Sequence, residues 1–207
     1  MKKIILLVVC MAVLLSVATF NAFAQNVPEN LPYLTNDTAV YISYSGSDGD
    51  SGYYADEAKK TFGTTESMGV MGLLKDGGRL VVCGKAYMGK DYILPKLDGT
   101  LLITSDDGVK NYMNPDPANN PVCAFKIASG KSFTVLGNVI FDDIIVFQDF
   151  DQNSIIVEDG ATLVIGDGVV NMTRRDYQMK IVVNEGGRLI LGGGEFEIVN
   201  NGGEVIE

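Results

Sequence analysis

The chain has 207 residues, no histidine, no tryptophan, and a formal net charge of −10 with a sequence pI near 4.5. An acidic surface of that size disfavours nucleic acid and anionic membranes and repels anionic polymers, so no nucleic-acid partner is expected. The length suits one domain with a substantial core.

The chain opens Met1-Lys2-Lys3, runs apolar from Ile4 to Ala18, and reaches Ala22-Phe23-Ala24 before Gln25. A basic start, a short apolar core and an A-x-A end are the parts of a secretory signal peptide, here residues 1–24. Cys10 follows Val8-Val9 rather than small residues, which argues against a lipoprotein anchor. Cleavage leaves 183 residues (207 − 24) at charge −12, and no later stretch is long and apolar enough to span a bilayer. The expected location is therefore outside the cytoplasm, secreted or at the cell surface. Two cysteines remain, Cys83 and Cys123; buried thiols are favoured over a disulfide, and both readings stay open.

Residues 25–37 are polar and proline-bearing, a flexible leader before a domain over 38–207. Val40–Tyr44 alternates like a strand and runs into Ser45-Gly46-Ser47-Asp48-Gly49-Asp50-Ser51-Gly52, a turn-forming run. Thr65 to Lys75 is the one helix the pattern predicts, with Val70, Leu73 and Leu74 on one face and Gly77-Gly78 as its stop. Gly69 and Gly72 weaken it. Placed ahead of the repeats, it suits a cap over the open end of a solenoid.

Beyond it every apolar run is short, and two nearly coincide. Ile155–Gly168 reappears as Ile181–Gly194 at an offset of 26 (181 − 155). Each copy holds a β-branched run, an acidic-glycine turn, a second apolar run and another glycine turn. Gly77–Gly84 matches Gly186–Gly192 closely, so the repeat reaches back to the helix, and aligning Gly130 with Gly160 gives a spacing of 30 (160 − 130). Asn111–Pro121 is a proline-rich excursion that cannot lie mid-sheet. With no long helices between strands, an all-β fold is expected, either a parallel β-helix or a jelly-roll sandwich. A constant offset favours the β-helix, whose stacking puts Leu163 on Leu189, Ile165 on Leu191 and Gly160 on Gly186.

Three pieces in order, the strand with Ser45–Gly52, the helix ending in Gly77–Gly84, and the Gly160–Gly168 rung, resemble secreted proteins of the pectin-lyase-like superfamily. The likeness is to the N-terminal part of these right-handed parallel β-helix proteins, and most of all to uncharacterised bacterial surface members. It spans about Thr38 to Glu207, although Lys59 and Lys60 stand where members commonly carry proline. The resemblance implies a right-handed parallel β-helix with an N-terminal strand and a short capping helix. It also implies polysaccharide chemistry: lyases that use carboxylate-bound calcium and a basic residue, or hydrolases with paired aspartates.

The carboxylates available for either are Asp142, Asp143, Asp149, Asp151, Glu158 and Asp159, and the bases are Arg174, Arg175 and Arg188. Asp149-Phe150-Asp151-Gln152-Asn153 opens like a calcium loop, but Ser154 takes the glycine place and Gly160 the glutamate place. Acids that solvate the turns are the plainer reading, so no catalytic, cofactor or metal residue is assigned. Tyr41, Tyr44, Tyr53 and Tyr54 suit stacking on sugar rings or packing of the cap against the first repeat, the second being favoured.

Gly202–Glu207 begins another strand after Asn200-Asn201. An uncapped end implies continuation into a longer surface protein, the favoured reading, or a partner over the last repeat. Either predicts end-to-end association of the chain. The expected function is a non-catalytic exported module for surface display, adhesion or binding. The alternatives are a polysaccharide lyase or hydrolase, or a carbohydrate-binding module.

Overall fold

The computed structural model describes residues 36–106, 124–148, 154–173 and 180–207, all within the unit Pro32–Glu207. Residues 1–24, expected as a signal peptide, and most of the expected leader lie outside the described residues, as do the excursion Asn111–Pro121, Cys123, Asp149, Asp151, Arg174 and Arg175.

Strand β1 (Ala39–Ile42) alternates half-buried and buried residues, with Val40 and Ile42 facing the core. A single 3₁₀ turn at Ala55–Glu57 and one α-helical turn, α1 (Val70–Leu73), precede the remaining strands. The helix expected over Thr65–Lys75 is thus cut to four residues. Its glycines explain why: a Cβ on Gly69 would stand 2.7 Å from the Phe62 carbonyl oxygen, and one on Gly72 would collide with the Ser67 carbonyl. Here the chain folds back on itself too tightly for a helix to start earlier. What remains still seals the core, since Val70, Met71 and Leu74 are fully buried.

From Gly78 onward the strands come in groups of three. The first group is β2 (Gly78–Val82), β3 (Lys85–Met88) and β4 (Tyr92–Leu94). The second is β5 (Leu101–Ser105), β6 (Ala124–Ile127) and β7 (Ser132–Val135). Then follow β8 (Asn138–Phe141), β9 (Ile145–Gln148) and β10 (Ser154–Val157), and after them β11 (Thr162–Ile165), β12 (Val170–Thr173) and β13 (Lys180–Asn184). The last strands are β14 (Arg188–Leu191), β15 (Glu197–Asn201) and β16 (Glu204–Ile206). The first four groups are sorted into three sheets in fixed rotation, whereas of the last strands β14 and β16 join the first sheet and β15 the third. One sheet orders β1-β2-β5-β8-β11-β14-β16, a second β3-β6-β9-β12, and a third β4-β7-β10-β13-β15. Every pairing between these strands is parallel. The described chain is therefore all-β, built from parallel sheets with almost no helix.

The expected stacking is present residue for residue. Leu163 pairs with Leu189 and Ile165 with Leu191, Ile155 pairs with Ile181, and the Gly160 N–H donates to the Gly186 carbonyl at 3.0 Å. The alignment of Gly130 with Gly160 is corrected. Ser132–Val135 lies in the third sheet beside Ser154–Val157, so Phe133 pairs with Ile155, and Thr162 pairs instead with Asn138. Similar glycine turns precede strands of two different sheets, and the sequence alone had merged them.

Strand alternation points one face of each sheet inward, and all three sheets share a single core. Leu101, Val139, Leu163 and Leu189 form one buried column from the first sheet, and Leu80, Ile103, Phe141 and Ile165 form a second. Near the N-terminal end the core turns aromatic. Phe133 meets Phe125 and Phe141 edge-on at 5.2 and 6.2 Å and stacks on Tyr92 at 6.0 Å. Each such ring removes large apolar area from water, worth about 1.5–3 kcal/mol. The outer edge of β1 is occupied by its own chain: the Tyr41 N–H donates to the Gly52 carbonyl and the Ser43 N–H to the Lys59 carbonyl.

Candidate functional site

The Ser45–Gly52 run has no regular structure of its own and is held by side chains. Asp48 accepts from the Lys60 N–H at 3.1 Å, the Thr61 N–H at 2.8 Å and the Thr61 hydroxyl at 2.8 Å. Burial alone would push the Asp48 carboxyl up, but the Thr61 hydroxyl and the Thr61 and Lys60 amides outweigh it and hold it below its usual value. Lys59 is buried, and its ammonium donates to the Asp48 carbonyl at 2.9 Å. Lys59, Ala58 and Phe62 are buried, whereas most of the neighbouring tyrosines are not.

Tyr41 is half-buried in β1, but Tyr44, Tyr53 and Tyr54 are 62, 49 and 64% exposed. Packing the cap is therefore not the work of those three. Sequence reasoning missed a fourth ring, Tyr87, which stands 44% exposed between the inward-facing Ala86 and Met88 of β3. The alternation Ala86-Tyr87-Met88 was the signal that could have found it. Tyr44 and Tyr87 meet edge to face, centroids 6.2 Å apart and planes at 88°. Lys60 Nζ stands 5.6 Å from the Tyr44 centroid and Lys126 Nζ 5.5 Å from that of Tyr87. Cys83 Sγ, just past β2, lies 3.6 Å from the Ala55 carbonyl oxygen and ties the segment after Tyr54 to the first sheet.

The predicted carboxylates among the described residues fall at two different corners of the round. Asp142 and Asp143 follow β8, between the first and second sheets, whereas Glu158 and Asp159 follow β10, between the third and the first. Asp142 is seated against the next round, and a Cβ at Gly168 would stand 2.9 Å from its Oδ1. Burial pushes its carboxyl up; the Asp143 and Gly168 amides work against this, and the nearby Asp167 and Asp143 carboxylates add to it. Asp143 takes a left-handed backbone (φ 48), and its carbonyl accepts from the Ser105 hydroxyl at 2.7 Å. Glu158 accepts from Asn184 Nδ2 at 2.9 Å, and Asn184 Oδ1 accepts from Asn201 Nδ2 at 3.0 Å, a polar ladder over three rounds. Arg188 Nε faces Glu204 Oε2 at 3.0 Å as an ion pair, off the line a hydrogen bond needs. These contacts tie one round to the next.

Among the described residues no group of three or more histidine, cysteine, aspartate or glutamate side chains is placed to hold a metal ion. No described helix is long and apolar enough to cross a membrane. No family model, no curated protein and no solved structure matches this chain.

Proposed function

We propose that the chain is an exported, right-handed parallel β-helix module of the pectin-lyase-like kind, acting at the bacterial cell surface in display, adhesion or binding, without catalysis. The observation behind this reading is the fixed rotation of strands through three parallel sheets around one core. Such a solenoid offers a long stiff surface built from outward side chains of successive rounds. The engagement of Asp142, Glu158 and Arg188 in contacts between rounds favours the non-catalytic form over a lyase or hydrolase. The four exposed tyrosines favour, within it, a binding role for carbohydrate.

The test is to express the full chain in a bacterial host, fractionate the cells and read the N-terminal residue by mass spectrometry. The expected result is an extracytoplasmic protein beginning at Gln25 that releases neither unsaturated nor reducing sugar from pectin, alginate or related polymers. A cytoplasmic protein retaining Met1 would sink the export reading, and turnover abolished by Asp143→Ala would sink the non-catalytic one.

A further inference from the structure

Tyr44 and Tyr87 are large rings left in solvent and in contact with each other. We propose that this pair forms a binding site for an uncharged saccharide chain; this deepens the carbohydrate-binding reading above and rests on it.

A sugar ring has a face of C–H groups that packs on the electron-rich face of an aromatic ring, and a rim of hydroxyls that hydrogen-bond to phenols. The perpendicular pair Tyr44–Tyr87 makes a two-walled notch suited to one such ring. Lys60 and Lys126 stand over the two notch rings and help fix them. Rings fixed in advance lose less side-chain entropy on binding.

The surroundings select the ligand class. Protein-binding patches centre on a buried apolar core, whereas the loop between Tyr44 and Tyr53 is Ser45-Gly46-Ser47-Asp48-Gly49-Asp50-Ser51-Gly52, small and polar throughout. Charge argues against an acidic polymer. Residues 44–60 carry Asp48, Asp50, Asp56 and Glu57 against Lys59 and Lys60, and Lys59 is buried with its ammonium on a backbone carbonyl. Lys60 and Lys126 are engaged over the rings, and the whole chain is at −10, so a polyanion approaches against the field.

The experiment probes the purified full chain on an array of neutral glycans (glucans, mannans, xylans, chitin oligomers) and acidic ones (uronates, sulfated chains). Calorimetry on the best neutral oligosaccharide follows. The expected result is binding confined to neutral chains and weakened about tenfold or more by Tyr44→Ala or Tyr87→Ala. Both rings are exposed, so far-UV circular dichroism should show the variants folded. Lys60→Gln is expected to weaken neutral binding by less than about threefold and to bring no acidic glycan onto the chain. Binding only to acidic glycans would overturn the ligand class and leave the carbohydrate-binding reading standing. Neutral binding untouched by both tyrosine variants would overturn the site, and no glycan binding at all would overturn both.

Discussion

At the scale of single residues, turns decide what the chain tolerates. Gly77 and Gly160 both hold left-handed backbones, with φ of 86 and 70. A Cβ on Gly160 meets nothing within 4 Å, whereas one on Gly77 would stand 2.7 Å from the Thr100 carbonyl oxygen. Gly160→Ala should therefore cost about 1–2 kcal/mol, the left-handed penalty alone. Gly77→Ala should cost about 1–3 kcal/mol more, because backbone has to move. Urea denaturation of the two variants checks this, and equal midpoints would contradict it. Both glycines were legible in the sequence as turn residues. Which of them faced a carbonyl was not, because that carbonyl comes from the next round, 23 residues further on (100 − 77).

Asp142 gives a second residue-scale prediction. Its folded carboxyl sits above its ordinary value, so the native state holds the proton more tightly than the unfolded chain does. Stability from this group therefore falls as pH rises from the ordinary aspartate value through the folded one. Asp48 and Asp91 work the other way. Asp91, held low first by the Ser132 amide, contributes stability above the ordinary value that is lost as pH falls. Asp142→Asn should gain on the parent chain as pH rises from about 4 to about 7, read from urea midpoints. A gap between the two proteins that stays constant over that range would refute the assignment.

At the scale of elements, the strands were more legible than the helix. Period-two alternation exposes a strand directly, as in Ile155-Ile156-Val157, where the outer two residues are fully buried and the middle one is half-buried. The helix pattern over Thr65–Lys75 gave no warning that Gly72 lies against the Ser67 carbonyl, a contact set by a reverse turn. Nor did it show that Phe125, Phe133 and Phe141 meet, because they lie in three different sheets. Phe133 meets three rings, Phe125, Phe141 and Tyr92, and is fully buried among them. Phe133→Ala should cost about 3–5 kcal/mol, through lost burial and the cavity left among the other rings. Its strand neighbour Thr134 faces outward, and Thr134→Ala should stay within about 0.5 kcal/mol. Thermal or urea unfolding separates the two, and similar losses would mean that β7 does not present Phe133 to the core.

At the scale of the whole molecule, the repeat in the sequence and the repeat in space are different objects. Residues 155–168 and 181–194 coincide in both, because a full round of 26 residues separates them (181 − 155). Gly130 and Gly160 coincide only in sequence, since similar turns lead into the third sheet and into the first. The candidate site shows the same division. Tyr44, Tyr53 and Tyr54 were visible as neighbours in the sequence, but Tyr87 meets Tyr44 only because β3 runs past the corner where β1 ends. Of the carboxylates that looked like candidates for chemistry, the described ones, Asp142, Asp143, Glu158 and Asp159, are spread over two corners by the same rotation.

The rotation through three sheets is the claim on which the rest depends, and disulfide trapping tests it directly. Thr134 pairs with Ile156 across neighbouring strands of the third sheet, both half-buried, whereas aligning the glycine turns by sequence would pair Thr134 with Val164. In a background carrying Cys83→Ser and Cys123→Ser, Thr134→Cys with Ile156→Cys should form a bond on mild oxidation, since in-register strands lie within disulfide reach. Thr134→Cys with Val164→Cys should stay reduced, because those residues belong to different sheets. The reverse outcome, a bond to position 164 and none to 156, would contradict the three-sheet account.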